Sequence, residues 1–276
     1  MSYKTILVHC DASKSVSHRL DVATDLAQRF GARLVGLHVR PPFETSVFID
    51  GGFATGDFFK IHDEGVKADE TEACAAFAKA TKGKELSTEW RAVGGYVDNE
   101  LAVQARYADL VVAGQAGPEP TTTPSDLPET VALTTGRPVL VVPFIGAKPP
   151  GKVVLLCWNA SREAARAAAD ALPLLEAAQK VIVLIVNPTV SAEGHGAEPG
   201  ADAAAWLARH GVQVTVQRDV APAADVGGVI LSRAADHDAD LIVMGIYGHS
   251  RMREMVLGGA SRTLLTSMTI PAFMSH

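Results

Sequence analysis

The chain repeats itself. The stretch Lys4-Thr-Ile-Leu-Val-His-Cys-Asp-Ala-Ser13 returns as Lys152-Val-Val-Leu-Leu-Cys-Trp-Asn-Ala-Ser161, and Ala108-Asp-Leu-Val-Val-Ala-Gly-Gln-Ala-Gly117 returns as Ala239-Asp-Leu-Ile-Val-Met-Gly-Ile-Tyr-Gly248. Each half then closes on a short proline-led apolar run, Pro138 to Val142 and Pro271 to Met274. Self-similarity of this kind means two copies of one folding unit, and 276 residues suffice for two domains of ordinary size. The segment Gly146-Ala-Lys-Pro-Pro-Gly151 has the prolines and glycines of a linker. Domains are therefore expected at 1–146 and 151–276.

Within each half, aliphatic runs alternate with helical periodicity. Ile6 to Val8 reads as a buried strand, and Ser13 is placed to cap a helix over Lys14 to Phe30, where Leu20, Ala23, Ala27 and Phe30 recur on one face. Gly31 closes that helix, and Leu34 to Val39 is the next strand. Strands at 87–93 and 110–113 and helices at 61–81 and 97–106 complete the unit. The second half repeats it with strands at 152–157, 180–186, 212–217 and 240–244. Continuous aliphatic strands separated by helices predict an α/β fold, with two tandem doubly wound domains. Each has a five-stranded parallel sheet covered on both faces. Such sheets bind ligands beyond the carboxyl ends of their strands.

Several functions are excluded early. A net charge of −6 leaves no basic footprint, so no nucleic-acid partner is expected. The longest uninterrupted aliphatic run, Val181 to Val186, is far too short to span a bilayer, and Met1 to Cys10 lacks the shape of a signal peptide. A soluble, cytoplasmic protein is expected. Cys10, Cys74 and Cys157 form no CxxC pair; Cys10 and Cys157 lie in apolar runs and read as buried reduced thiols. The nine histidines include no HxxxH pair, and His9 and His38 read as core residues on neighbouring strands. No Walker A loop and no Gly-x-Ser-x-Gly elbow occurs.

The most informative stretch is Gly245-Ile-Tyr-Gly248-His-Ser-Arg-Met-Arg-Glu-Met-Val-Leu-Gly258-Gly259-Ala-Ser261. It follows the fourth strand of the second half and leads into a helix ending near Ser267. Glycines let backbone N–H groups approach a phosphate, and a helix N-terminus adds unpaired donors and a positive dipole end. His249 and Arg251 can add charge-assisted bonds. Tight turns needing positive φ are the plain structural alternative.

The spacing G-x2-G, nine residues, then glycine and a small residue, placed between the fourth strand and the last helix, resembles the nucleotide-binding signature of the universal stress protein (UspA-like) family. The opening strand ending in Asp-Ala-Ser, Leu37-His38-Val39 and the closing proline-led strands fit the same family, and the resemblance covers the chain twice. It implies a Rossmann-like, adenine nucleotide alpha hydrolase-like domain, with the last strands of the two halves pairing edge to edge as an internal pseudo-dimer. It also implies an adenine nucleotide, ATP or AMP, with Mg²⁺ accompanying ATP. Carried over residue by residue, the site in the second half comprises Asn159, Val186, Gly245, Gly248, His249, Arg251, Gly258, Gly259, Ala260 and Ser261. Asn159 stands where ATP-binding members have an acidic residue, and Gly259 where they usually have serine or threonine.

The first half keeps only a residual site: Asp11, Val39, Gly114 and Gly117. Leu127 replaces the third glycine, and Asp126-Leu-Pro-Glu129 reads as a capping arrangement that sets two carboxylates where a phosphate would go. No nucleotide is expected there. The segment Pro41 to Phe59, rich in Phe and Gly, reads as a loop over its own domain or as a lid or homodimer contact. Three functions remain open at this point. They are a stress-response module that senses or stores adenine nucleotide through its second half, a ligand-free interaction scaffold for a protein partner, and a very slow ATPase with His249 as its one candidate base.

Overall fold

The computed structural model describes residues 2–43, 56–118, 123–188, 197–222, 225–246 and 259–276. Its first half runs β1 (Thr5–His9), α1 (Val16–Phe30), β2 (Arg33–Arg40), α2 (Gly56–Thr81), β3 (Thr88–Gly94), α3 (Val97–Ala105), β4 (Leu110–Gly114), α4 (Leu127–Thr134) and β5 (Val139–Val142). The second half runs β6 (Val153–Cys157), α5 (Arg162–Asp170), α6 (Leu172–Ala177), β7 (Lys180–Val186), α7 (Ala201–Arg209), β8 (Val214–Asp219), α8 (Val226–Asp236), β9 (Leu241–Gly245), α9 (Gly259–Ser267) and β10 (Ala272–Ser275).

The ten strands form one sheet in the order β3-β2-β1-β4-β5-β10-β9-β6-β7-β8. Each half is a five-stranded parallel sheet, as expected. The halves meet where β10 pairs antiparallel with β5, with Phe273 opposite Leu140. That pairing covers two strand edges that would otherwise stand open.

Alternate residues along the buried strands feed two cores, one on each face of the sheet. Ile6, Val8, Leu34, Val154, Leu156 and Phe273 pack with residues of α1, α2, α5 and α6. Leu7, Val35, Leu37, Leu155, Ile182 and Met274 pack with residues of α3, α4, α8 and α9. The repeated Ala-Asp-Leu motif has a mechanical role in both halves. Asp109 accepts the backbone N–H groups of Lys4 and Thr5 at 2.7 and 2.9 Å, and Asp240 does the same for Gly151 and Lys152 at 2.7 and 3.0 Å. Each carboxylate thus ties the start of its domain's first strand to the start of the fourth.

Three local expectations fail. Ser13 does not cap α1: the helix starts at Val16, its N-cap is Ser15 without a side-chain cap, and Ser13 bonds Asp11 instead. Its counterpart Ser161 does cap α5, accepting the Ala164 N–H at 3.1 Å. Asp126 stands at the N-cap of α4 but makes no capping bond among the described residues. Burial raises the Glu129 carboxyl from its ordinary value, and its Oε2 has no partner there. Helix α2 also begins earlier than expected, at Gly56, so the end of the apolar 41–59 segment is helical. Gly31 ends α1 in the left-handed region at φ 59°, and its N–H meets the last carbonyls as a Schellman-type close requires.

Candidate functional site

The glycine signature of the second half starts where β9 ends. Gly245 is the last residue of β9, and α5 crosses so closely that a Cβ on it would lie 2.6 Å from the Ala164 nitrogen. Only glycine lets helix and strand approach this far. Beside it, at the carboxyl ends of β6, β7 and β9, lies a cavity of about 100 Å³. Its lining includes Trp158, Asn159, Val186, Ile230, Gly245 and Ala260. The walls are largely apolar, with one amide at the mouth. Asn159 folds an Asx turn, its Oδ1 accepting the Ser161 N–H at 3.2 Å.

Of the ten residues expected in this site, four line the cavity: Asn159, Val186, Gly245 and Ala260. Gly259 opens α9 with open space around it, and Ser261 is buried within that helix, outside the cavity wall. Gly248, His249, Arg251 and Gly258 lie outside the described residues. The sequence reading missed Cys157, Trp158 and Ile230, whose apolar character gave no signal beyond core packing. Burial pushes the Cys157 thiol up to about 12, so it is a neutral wall residue.

The first half keeps Leu37, Val39 and Gly114 at the positions of Leu184, Val186 and Gly245, and differs elsewhere. His9 replaces Cys157 and is 2% exposed; Leu127 replaces the third glycine and is 1% exposed; Leu37 and Val39 are buried with them. His9 and Leu127 thus stand as larger buried side chains where the second half has a cysteine and a glycine. The residual site is accordingly split. Val39 packs in the core on the α3–α4 side of the sheet. Asp11, Gly114 and Gly117 instead line a separate cavity of about 200 Å³ against α1.

Asp11 itself is firmly held. It accepts the Ser13 N–H at 3.1 Å, the Ser13 hydroxyl at 2.5 Å and the Thr123 hydroxyl at 3.1 Å, and pairs with the buried Arg19 guanidinium. Burial alone would raise its carboxyl, but the Arg19 charge overrides that and holds it well below the usual range. It is a structural anion. His38 donates Nδ1–H to the Cys10 carbonyl at 2.8 Å, a core histidine as expected. Burial lowers His9 to about 4, so it is neutral. Among the described residues no group of three His, Cys, Asp or Glu side chains is arranged to hold a metal ion, and no helix is long and apolar enough to cross a membrane.

Two halves of the β3-β2-β1-β4-β5 type, joined through their last strands, define a tandem α/β protein of two Rossmann-like domains. The Universal stress protein family model matches residues 2–143 and again 151–276, and the chain belongs to that family. Solved structures share the fold along the whole chain. A universal stress protein from Archaeoglobus fulgidus DSM 4304 is 16% identical at a TM-score of 0.71, covering 98% of this chain and 95% of that one. A functionally unknown protein from Pseudomonas aeruginosa PAO1 is also 16% identical at 0.63, covering 99% and 92%. A putative universal stress protein from Pseudomonas aeruginosa UCBPP-PA14 is 16% identical at 0.61, covering 99% and 93%. No curated protein matches the chain.

Proposed function

We propose that the protein is a stress-response module that binds an adenine nucleotide through its second domain, while its first domain serves as a structural partner for that site. The observation that carries this reading is the contrast between the two copies of one fold. At the carboxyl ends of its strands the second domain keeps an apolar slot edged by Asn159, Gly245 and Ala260. The first domain has the buried His9 and Leu127 where the second has Cys157 and its third glycine.

The slot suits a flat, largely apolar base. The Asn159 amide can bond a ribose hydroxyl or a base edge without bringing a carboxylate. Val186 ends β7 and lines the cavity. The phosphates would follow the glycine turn toward the start of α9, where glycines and a helix N-terminus supply N–H donors. Mg²⁺ would arrive on the triphosphate.

Calorimetric titration with ATP and Mg²⁺, beside Gly258→Asp, tests the reading. The substitution sets a carboxylate where the phosphates would lie. Saturable binding at a single site per chain, lost in Gly258→Asp, is the expected result. Absence of heat at millimolar ATP, with folded protein free of co-purified nucleotide, would favour a ligand-free interaction scaffold instead.

A further inference from the structure

We infer that β3 is a dimerisation edge: a second copy of this chain pairs with it antiparallel, β3 against β3, about a two-fold axis through Trp90. β3 ends the ten-stranded sheet on the first-domain side. Its seven residues include no proline or lysine, and its register against β2 runs unbroken from Thr88 to Gly94. Prolines, lysines and bulges are the usual devices that blunt an open edge. The bonds to β2 fix which backbone groups point away. The Leu34 N–H donates to the Ser87 carbonyl at 2.8 Å and the Gly95 N–H to the Arg40 carbonyl at 3.0 Å, so the odd-numbered residues face β2. Thr88, Trp90, Ala92 and Gly94 therefore turn their N–H and C=O groups outward. Among the described residues only the Ala92 carbonyl has a partner, Arg40 Nη2 at 3.3 Å, and its second lone pair stays open.

The side chains select both occupant and register. In an antiparallel pair, outward residues face outward residues, and the odd positions oppose each other where side chains come closest. With Trp90 opposite the partner's Trp90, Glu89 lies opposite the partner's Arg91 and Arg91 opposite the partner's Glu89. Their side chains are 29% and 33% exposed, and within one chain Arg91 Nε donates to Glu89 at 2.7 Å. The four groups of a dimer thus alternate in sign. The neighbouring register sets Arg91 against the partner's Arg91, which like charge disfavours. On the other face the half-buried Trp90 ring, 5.5 Å from the Phe77 ring centre, meets its equivalent. Trp90 also lines an open groove of about 800 Å³ with Val66, Ala75 and Ala78 of α2, so pairing covers apolar surface as well as strand edge. The opposite outer strand lacks this self-complementarity. In β8 the Val181 and Asn187 N–H groups donate to the Gln213 and Asp219 carbonyls, so Arg218 faces outward and Asp219 inward. No antiparallel register of β8 with itself then sets those two charges opposite each other.

Sedimentation velocity of the full chain over a concentration series is the test. A reversible monomer–dimer equilibrium is expected. Glu89→Arg and Arg91→Glu, each alone, should weaken it at least about tenfold, because two opposite-charge pairs per dimer become like-charge pairs. Mixing the two variants should restore dimers, since each then meets its complement. Ala92→Pro removes an N–H that the single chain leaves unbonded, a change edge strands tolerate, and should abolish dimers. If Ala92→Pro fails to fold, the charge variants and their mixture decide. A monomer at every concentration, dimers indifferent to the charge changes, or a mixture no more dimeric than its components would each overturn the inference. Nucleotide is absent throughout, so the result is independent of the second-domain site.

Discussion

Replacing Arg19 with methionine probes the contact that distinguishes the two repeats. Arg19 and Asp11 are 3% and 9% exposed, so their pair belongs with buried rather than surface ion pairs. Surface pairs are worth about 0–1 kcal/mol. Removing one member of a buried pair costs about 3–5 kcal/mol, because the other charge stays buried without its partner. Asp11 would keep the Ser13 and Thr123 bonds, which places Arg19→Met at the lower end, about 3 kcal/mol. Adding Asp11→Asn should recover about 2 kcal/mol of this. The asparagine keeps the Asx turn, as Asn159 does with Ser161 in the second repeat, and needs no counter-charge. Urea unfolding of the two single variants and the double variant gives the coupling directly. The pH dependence has a fixed sign. Asp11 is depressed in the folded state, so its pair stabilises the protein above the ordinary carboxylate pKa and is lost only as pH falls through the lower folded value. The cost of Arg19→Met should therefore shrink below pH about 4, where an unpaired Asp11 takes up a proton. A cost under about 1 kcal/mol at neutral pH, or a double variant no more stable than Arg19→Met, would refute the reasoning.

Three further outcomes follow from the packing. His9 is lowered to about 4 by burial, so between pH about 6.5 and 4 the unfolded chain binds the extra proton and stability falls as pH falls, by up to about 3 kcal/mol. His9→Cys, which copies Cys157, should flatten that slope in pH-dependent urea unfolding. Gly245→Ala should cost about 1–3 kcal/mol, since its Cβ would meet α5 backbone that has no room to yield, and thermal melting reads this directly. Phe273→Ala should cost about 3–5 kcal/mol, because its side chain is fully buried at the β5–β10 seam. Hydrogen exchange should then rise in both halves, and a rise confined to the second half would contradict a shared sheet.

Legibility followed the range of the interactions. The strands were readable because parallel strands buried on both faces must be continuously aliphatic, as Lys180–Val186 is. The end of α1 was readable because Gly31 needs only local conformation. Its start was not. Ser13 carries a local capping signal, but Arg19 and Asp11 compete for the same hydroxyl across a turn, and the competition is visible only in space. The polar edge strand β8 slid by two residues from its expected start for a similar reason: Thr215 and Gln217 alternate with Val214 and Val216, so the run lacked the aliphatic signal of the central strands. Of the positions that the family resemblance implied, Asn159, Val186, Gly245 and Ala260 border the candidate cavity. The separate cavity on α1 was not expected, although the sequence held its trace. Asp11 and Arg19 both change between the repeats, to Asn159 and Ala167, and such a paired change marks a contact.

The division of labour between two copies of one fold is the central claim, and an NMR titration with ATP and Mg²⁺ tests it most directly. The account predicts saturable shifts at Asn159, Val186, Gly245 and Ala260, with Val39, Leu37 and Leu127 unmoved. Shifts at the first-domain positions, or none in either domain at saturating ATP, would contradict it.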